Sequence, residues 1–370
     1  MESTTDYFHN FDALTDPRIN RRKIYRLKTL VFICISAVVA GAESFTEIAE
    51  FAAQKVDWLR KYVELPEGRT PSHDTLNDLF RRIIPTEFQN CFLNWTAQIC
   101  NITAGELIAV DGKTLRGSYD KYDGKSAIHM ISAWACNNEL VLGQLKVADK
   151  SNEITAIPEL LDLLAISGSI VSTDAMGCQK PIAKKIIAKQ ADYILAVKQN
   201  QASLYAEIES IFNNKTASIE TTVKTEKNQG RLEQRQCEVV KDLKFLEEAK
   251  NWEELKSIIK ITSKRKLLIT GKKQSETRYY ISSTIKTAEE FNSLIRQHWG
   301  VENKLHWVLD VNFNEDKSRI RKGYGDQNFS TIRRIALNII KLNKTGKTSQ
   351  RVKRKKAGWS MNFLEKLLKL

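Results

Sequence analysis

Two aspartates occupy the same kind of place in the chain. Asp111 closes the apolar run Ile108-Ala109-Val110 and is followed by Gly112-Lys113; Asp174 closes Ile170-Val171-Ser172-Thr173. In each case an apolar strand delivers a charged residue to the end of a sheet, and at Asp111 a glycine follows for close approach. If the two strands are neighbours, both carboxylates lie at the carboxyl end of the sheet, where open α/β sheets keep their sites. Such oxygens suit hard cations: two Mg²⁺ or Mn²⁺ ions about 3.5–4 Å apart stabilise both the attacking and the leaving oxygen of a phosphoryl transfer. A third carboxylate completes such a cage, and the best candidate is Glu302, in the helical stretch 296–307. Taken singly, each carboxylate is as readily a cap or a surface ion pair; the three together carry the reading.

Competing chemistries are weaker. Gly112-Lys113-Thr114 invites a phosphate-loop reading, but the first glycine of that motif would fall on Leu107. His298, Glu302 and His306 are four apart and would share a helix face, which suits a zinc hydrolase; the His-Glu-x-x-His order is missing and the aspartates would go unused. Lys113, Arg116 and Lys198 lie beside the aspartate strands and are candidates for holding phosphates. Trp299 and Trp307 are expected to pack in the core of an amphipathic helix rather than stack on a base.

The elements that must position these groups read as α/β. Strands are expected at Leu107–Asp111, Ala127–Trp134 and Leu140–Val147, then a helix Ile154–Leu164, a strand Ser169–Thr173, a helix Pro181–Gln190 and a strand Tyr193–Val197. This β-β-β-α-β-α-β succession is the layout of a ribonuclease H-like mixed sheet, the catalytic core at 104–342. Residues 216–285 interrupt it as a β-rich insertion with a turn at Asn228-Gln229-Gly230, and helix returns over Ala288–Val308 and Phe329–Leu342. A small all-α N-terminal domain, 1–103, has apolar positions at helical spacing in Leu27–Val39, Phe45–Val63 and Thr75–Ile84. Ser72 is placed to cap a helix that carries Arg81 and Arg82, a candidate DNA-reading unit. The run Lys344–Lys356 and the amphipathic end Phe363–Leu370 read as a basic C-terminal tail, 343–370, that touches DNA backbone.

The charge fits a polyanion partner: 58 Lys and Arg against 44 Asp and Glu give +14 at neutral pH, with a pI near 9.4. Six cysteines without a Cys-x-x-Cys spacing, and no cleavable signal sequence at the start, lead to the expectation of reduced thiols in a cytoplasmic protein. The most apolar stretch, Leu30 to Ala42, is 13 residues long, against roughly 20 needed to span a bilayer, so no membrane partner is expected.

The motifs also carry a resemblance. Val-Asp-Gly-Lys-Thr-Leu-Arg-Gly-Ser at 110–118, Ser-Asn-Glu-Ile-Thr-Ala-Ile-Pro at 151–158, Thr-Asp-Ala-Met-Gly-Cys-Gln at 173–179 and His-Trp-Gly-Val-Glu-Asn-Lys-Leu-His-Trp-Val-Leu-Asp-Val at 298–311 resemble the DDE transposases of ISAs-type insertion sequences, the H-repeat-associated proteins. The likeness covers nearly the whole chain. It implies Asp111, Asp174 and Glu302 as the catalytic, metal-binding triad with Mg²⁺ or Mn²⁺, double-stranded DNA (terminal repeats and target) as partner, and a homodimer that brings two ends together. It implies metal-dependent endonuclease cleavage at transposon ends, then strand transfer, in DNA transposition and recombination. The wider superfamily has Tyr, Arg and Lys around this glutamate where Ile295, His298 and Leu309 stand here, which makes His298 the candidate for the arginine's DNA contact. The alternatives are a non-catalytic DNA-binding remnant and a plain nuclease.

Overall fold

The computed structural model describes residues 4–148, 152–228, 230–346 and 348–370; Ser151 of the 151–158 motif, Gln229 of the expected hairpin turn and Lys347 of the basic run lie outside them. The chain opens with helices α1 (Leu27–Ala40), α2 (Phe45–Gln54), α3 (Val56–Leu59), α4 (His73–Phe80) and α5 (Pro85–Ile99). Ser44 and Ser72 start α2 and α4 by accepting the backbone N–H of Glu47 and Thr75, three residues on. The single helix expected over Phe45–Val63 breaks at Lys55, and α5 begins on Pro85, which fits the first turn of a helix because it has no N–H to lose.

The sheet region follows as β1 (Leu107–Thr114), β2 (His129–Ala135), β3 (Leu140–Lys146), α6 (Glu153–Asp162), β4 (Ile170–Thr173), α7 (Lys180–Ala188), β5 (Asp192–Val197) and α8 (Ala202–Asn214). The insertion supplies β6 (Glu220–Asn228), β7 (Arg231–Val240), β8 (Ser257–Leu267) and β9 (Lys273–Ser282). The chain then runs through α9 (Ala288–His298), α10 (Trp307–Asn312), α11 (Gly325–Leu342), α12 (Gln350–Trp359) and α13 (Met361–Leu368).

All nine strands make one mixed sheet in the order β3-β2-β1-β4-β5-β9-β8-β7-β6. β1 to β3 are antiparallel, β4 and β5 add in parallel, and β9 returns antiparallel along β5, pairing Ile194–Val197 with Tyr279–Ser282. The insertion is therefore an arm that prolongs the core sheet, and β8 is exposed from Lys264 to its end. Both faces of the core are covered, which is why its strands are continuous apolar runs. Along β1, Leu107 and Ala109 join the cluster under the N- and C-terminal helices, while Ile108 and Val110 join the one under α6, α7 and α8.

The helices before residue 103 share a single apolar core with α9 to α13. The basic tail is folded: α12 and α13 lie on α1, and Arg354, 6% exposed, donates to the carbonyls of Val38, Ala42 and Asn312 while pairing with Glu43. The open carbonyls at the C-terminus of α1 need such donors, so Arg354 is spent on packing, and Lys353 is buried beside it. All six cysteines are free and buried. Among the described residues no single helix is long and apolar enough to cross a membrane.

Candidate active site

The parallel pairing of β1 with β4 sets Val110 opposite Thr173, so Asp111 and Asp174 stand one residue further on at adjacent positions. β1 runs three residues past Asp111, which places that carboxylate beside the end of β4 rather than at the end of its own strand. Asp174 turns the chain: its Oδ1 accepts the N–H of Met176 (3.0 Å) and of Gly177 (3.3 Å). Gly177 has no alternative there, since a Cβ would lie 2.6 Å from Cβ of Thr173.

Electrostatics bind these groups into one cluster. Burial, the nearby Asp174 carboxylate and then Glu153 and Glu302 push Asp111 up to about 7. Burial, and then Glu153, raise Asp174 as well, against the pull of its backbone N–H bonds and Lys198. Crowded carboxylates in a poorly solvated pocket each resist ionisation. His306 approaches Asp111 with Nδ1 3.5 Å from Oδ2, but burial, with Arg334 and Lys113 close by, holds it near 4 and so neutral. Oxygen-only donors in this state suit Mg²⁺ or Mn²⁺. As the side chains stand, no three His, Cys, Asp or Glu groups among the described residues converge closely enough to hold a metal ion.

Glu302 stands apart from the aspartate pair. After α9 the chain kinks at Trp299 and runs through a π-helical turn, Glu302–His306, before α10. Such wide turns are uncommon and recur at functional sites. The turn leaves Glu302 exposed on the rim of a cavity of about 410 Å³ between α9 and the arm. Strand periodicity builds this cavity's floor: Arg231 and Arg235 on β7, Arg265 on β8 and Arg278 on β9 share one face, and Arg296 of α9 completes the set. Arg278 lies over the Trp299 ring at 3.9 Å. A second cavity of about 630 Å³ holds Asp174, Lys198, Tyr279 and the other side of Trp299.

The remaining expectations divide. Lys198 is exposed beside Asp174 as read, and Arg116 is 84% exposed, with only a loose 3.8 Å approach to Asp316. Lys113 is not free for a phosphate: it is buried, with Nζ 2.7 Å from both Asp310 and Asp316 and 3.7 Å from Glu315. His298 does not offer the expected DNA contact either. It is buried, its Nδ1 is 2.9 Å from the Ser172 hydroxyl, and burial together with Arg278 holds it near 4, hence uncharged. Arg81 and Arg82 share Asp78 at 2.5 and 2.8 Å and line neither cavity. Trp307, expected in the core, is 56% exposed. The zinc alternative loses its geometry, because the π turn breaks the i, i+4 face: His298 faces Ser172 and His306 faces Asp111.

Two features escaped the sequence. Glu153, quoted above only within a motif, lies against Gly112 from the start of α6 and meets His129 Nε2 at 2.6 Å. The arginine face was signalled by the alternation Arg231-Leu232-Glu233-Gln234-Arg235, whose charges every second residue mark one side of a strand.

Comparison with known proteins places these features in context. The family model described as DDE_Tnp_1-associated matches residues 8–96, and the one described as Transposase DDE domain matches residues 103–339. In Escherichia coli K12, the H repeat-associated putative transposase YhhI is 42% identical over 367 residues, covering 97% of this chain and 96% of its own, and the putative protein YbfL is 43% identical over 352 residues, covering 93% and 92%. The putative transposase YncI of Escherichia coli O157:H7 is 40% identical over 377 residues, covering 100% and 95%. A cryo-EM structure of the piggyBac transposase synaptic complex with hairpin DNA aligns with 93% of this chain and 72% of its own at 12% identity and a TM-score of 0.45.

Proposed function

We propose, from the premise that this chain belongs to the DDE transposase family in its H-repeat-associated branch, that it cuts DNA at the ends of its own element and joins the freed 3′ ends to target DNA. The observation that carries this reading is the Asp111–Asp174 pair on adjacent parallel strands, half-buried and raised by burial and by neighbouring carboxylates. Asp111, Asp174 and Glu302 are its catalytic carboxylates and metal ligands. The core is ribonuclease H-like, a reading supported by the antiparallel β3-β2-β1 meander with β4 and β5 added in parallel.

The carboxylates supply hard oxygens at a fixed place, and the strand pairing holds Asp111 and Asp174 in register without any movement of the backbone. Mg²⁺ or Mn²⁺ bound there supplies charge neutralisation and lowers the pKa of an attacking water or hydroxyl. Glu302 joins the pair from the π turn. The neutral His306 adds no charge that would compete with a cation at Asp111. Lys198 and the arginine face of the arm take the DNA backbone on either side of Trp299, and Arg116 extends that track; Arg81 and Arg82, each tied to Asp78, are peripheral. Synapsis of two ends calls for a homodimer, and the six buried free thiols suit a cytoplasmic, nucleoid-bound protein.

The test is cleavage and joining of DNA that carries the element's own flanking ends, in Mg²⁺ and in Mn²⁺. Wild type is expected to do both; Asp111→Asn, Asp174→Asn and Glu302→Gln are expected to bind the same DNA and do neither. Cutting by the variants at the wild-type rate would overturn the triad. Free cut ends without joined strands would reassign the chain as a nuclease, and binding without any cutting would make it a DNA-binding remnant.

A further inference from the structure

Between α10 and α11 the chain reads Glu315-Asp316-Lys317-Ser318-Arg319-Ile320-Arg321-Lys322, two acids with four bases after them. The fold sorts these charges by side. Both carboxylates turn inward, Glu315 to Arg334 and Asp316 to Lys113, each within 2.8 Å. Arg321 turns inward too, and its Nε donates to the carbonyl of Gly117 at 2.9 Å. Lys317, Arg319 and Lys322 stay exposed, and among the described residues none of the three makes an ion pair. Cations wanted only for solubility need no fixed backbone beneath them, yet this strap is pinned along its length. A Cβ on Gly117 would overlap the carbonyl oxygen of Ser318, and a Cβ on Gly323 would overlap that of Arg81. Ile320 packs on the core, Tyr324 N–H donates to the Arg81 carbonyl at 3.0 Å, and Lys125 Nζ donates to the Arg321 carbonyl at 2.7 Å.

The sheet order gives the strap its place. Asp111 and Asp174 stand on β1 and β4; the arm with its arginine cavity begins beyond β5, whereas the strap lies on the turn that follows β1. In strand order the aspartates therefore fall between two cationic surfaces, and the surfaces differ in kind. Under its arginines the arm's cavity holds the Asn292 side chain, 4% exposed, with neither amide atom hydrogen-bonded. An amide with both donor and acceptor free can read the edge of a base. The strap presents free charges, and contacts to phosphate position a duplex without reading its sequence. We propose that the strap 317–322 is a second duplex-binding surface, which holds target DNA of arbitrary sequence while the arm holds the sequence-defined end. This rests on the transposase reading above, because joining brings two DNA segments to one set of carboxylates.

The test is done first in EDTA, where no strand is cut. Wild type saturated with the element's end DNA is expected to take up a fluorescent duplex of unrelated sequence, followed by anisotropy. A protein combining Lys317→Ala, Arg319→Ala and Lys322→Ala is expected to lose that second uptake. Its log–log salt slope for the unrelated duplex is expected to fall by about 2–3 units, at roughly 0.9 per phosphate contact. The combination Lys317→Arg, Arg319→Lys and Lys322→Arg keeps the charges and is expected to keep the slope. With Mg²⁺ in about 0.2 M salt, the ratio of joined to cut product is expected to drop roughly tenfold in the alanine protein. Its three side chains are exposed and unpaired, so each change should alter stability by less than about 0.5 kcal/mol. An alanine protein with wild-type second uptake and slope would overturn the surface, as would a wild type that takes up no second duplex. Loss of end DNA and unrelated duplex alike would show that the strap is not reserved for target. Second uptake by wild type in EDTA, without cutting in Mg²⁺ or Mn²⁺, would sink the catalytic reading and leave the surface standing.

Discussion

Two charge-rich regions flank the π turn that carries Glu302, and they are built on opposite plans. On the β1 side, Lys113 meets Asp310 and Asp316 at 2.7 Å, and Glu315 meets Arg334 at 2.8 Å with both side chains wholly buried. Burial alone would raise Glu315, but the Arg334, Arg333 and Lys113 cations overcome it and leave the carboxyl depressed to about 2. On the arm side, Arg235, Arg265 and Arg296 approach Glu226 and Glu233 at only 3.3–3.8 Å, and Arg231 and Arg265 face solvent. Burial and the neighbouring Arg296 depress Arg235. In the first region Lys113 and Arg334 close on carboxylates at 2.7–2.8 Å in the interior; in the second, guanidinium groups crowd one another at looser distances, with Arg235 buried and Arg231 and Arg265 open to solvent. The difference teaches that charge type and density do not separate scaffold from binding surface, whereas pairing distance and exposure do.

The strongest way to break this contrast is Glu315→Ala. Removing the anion strands Arg334 and Lys113 in the interior, and a buried pair broken on one side costs about 3–5 kcal/mol. A large fall in the denaturant midpoint is expected; a loss below about 1 kcal/mol would mean the cluster is not structural.

His298, beneath Arg278 and on Ser172, tests the junction between the two regions. Its folded value lies near 4, below the ordinary 6.5, so the unfolded chain takes up a proton first as pH falls. The stability it contributes is complete above about pH 6.5 and drains away towards pH 4, on the order of 2–3 kcal/mol. Urea unfolding across that window is expected to show this slope in wild type and a flatter one in His298→Gln. Equal slopes would mean that His298 is charged in the fold.

The smallest stability change and the sharpest functional one are expected on the arm. Arg231→Ala and Arg265→Ala should each alter stability by less than about 0.5 kcal/mol and lower the salt dependence of DNA binding by about one unit of log–log slope. Lys113→Ala, by contrast, should destabilise without changing that slope. An unchanged slope in the arm variants would remove the arginine face from the DNA path.

The core succession was legible because a doubly covered sheet writes itself as apolar runs, and Asp111 and Asp174 were legible because they end such runs. What escaped was whatever depends on partners remote in sequence. β1 was read three residues short, since Gly112-Lys113-Thr114 lacks strand character, yet Lys113 is drawn into the sheet by Asp310 and Asp316 about two hundred residues away. The π turn has no signature in composition; Ala288–Val308 carries helical periodicity and was taken as one helix. α8 went unread between the core and the insertion. The basic C-terminal run was read as touching DNA backbone because its charges dominate, while the carbonyls that capture Arg354 include those of Val38 in α1 and of Ala42, more than three hundred residues earlier.

α1 has twelve of its fourteen residues buried, and the helices that cover it include α11, α12 and α13, from the last part of the chain. During synthesis, at roughly 5–20 residues per second, this most apolar helix emerges among the first elements and waits on the order of tens of seconds for its cover. Emergence of α11, α12 and α13 is therefore the event that closes the N-terminal core. Until those helices are made, the nascent chain carries a sticky, half-clothed α1.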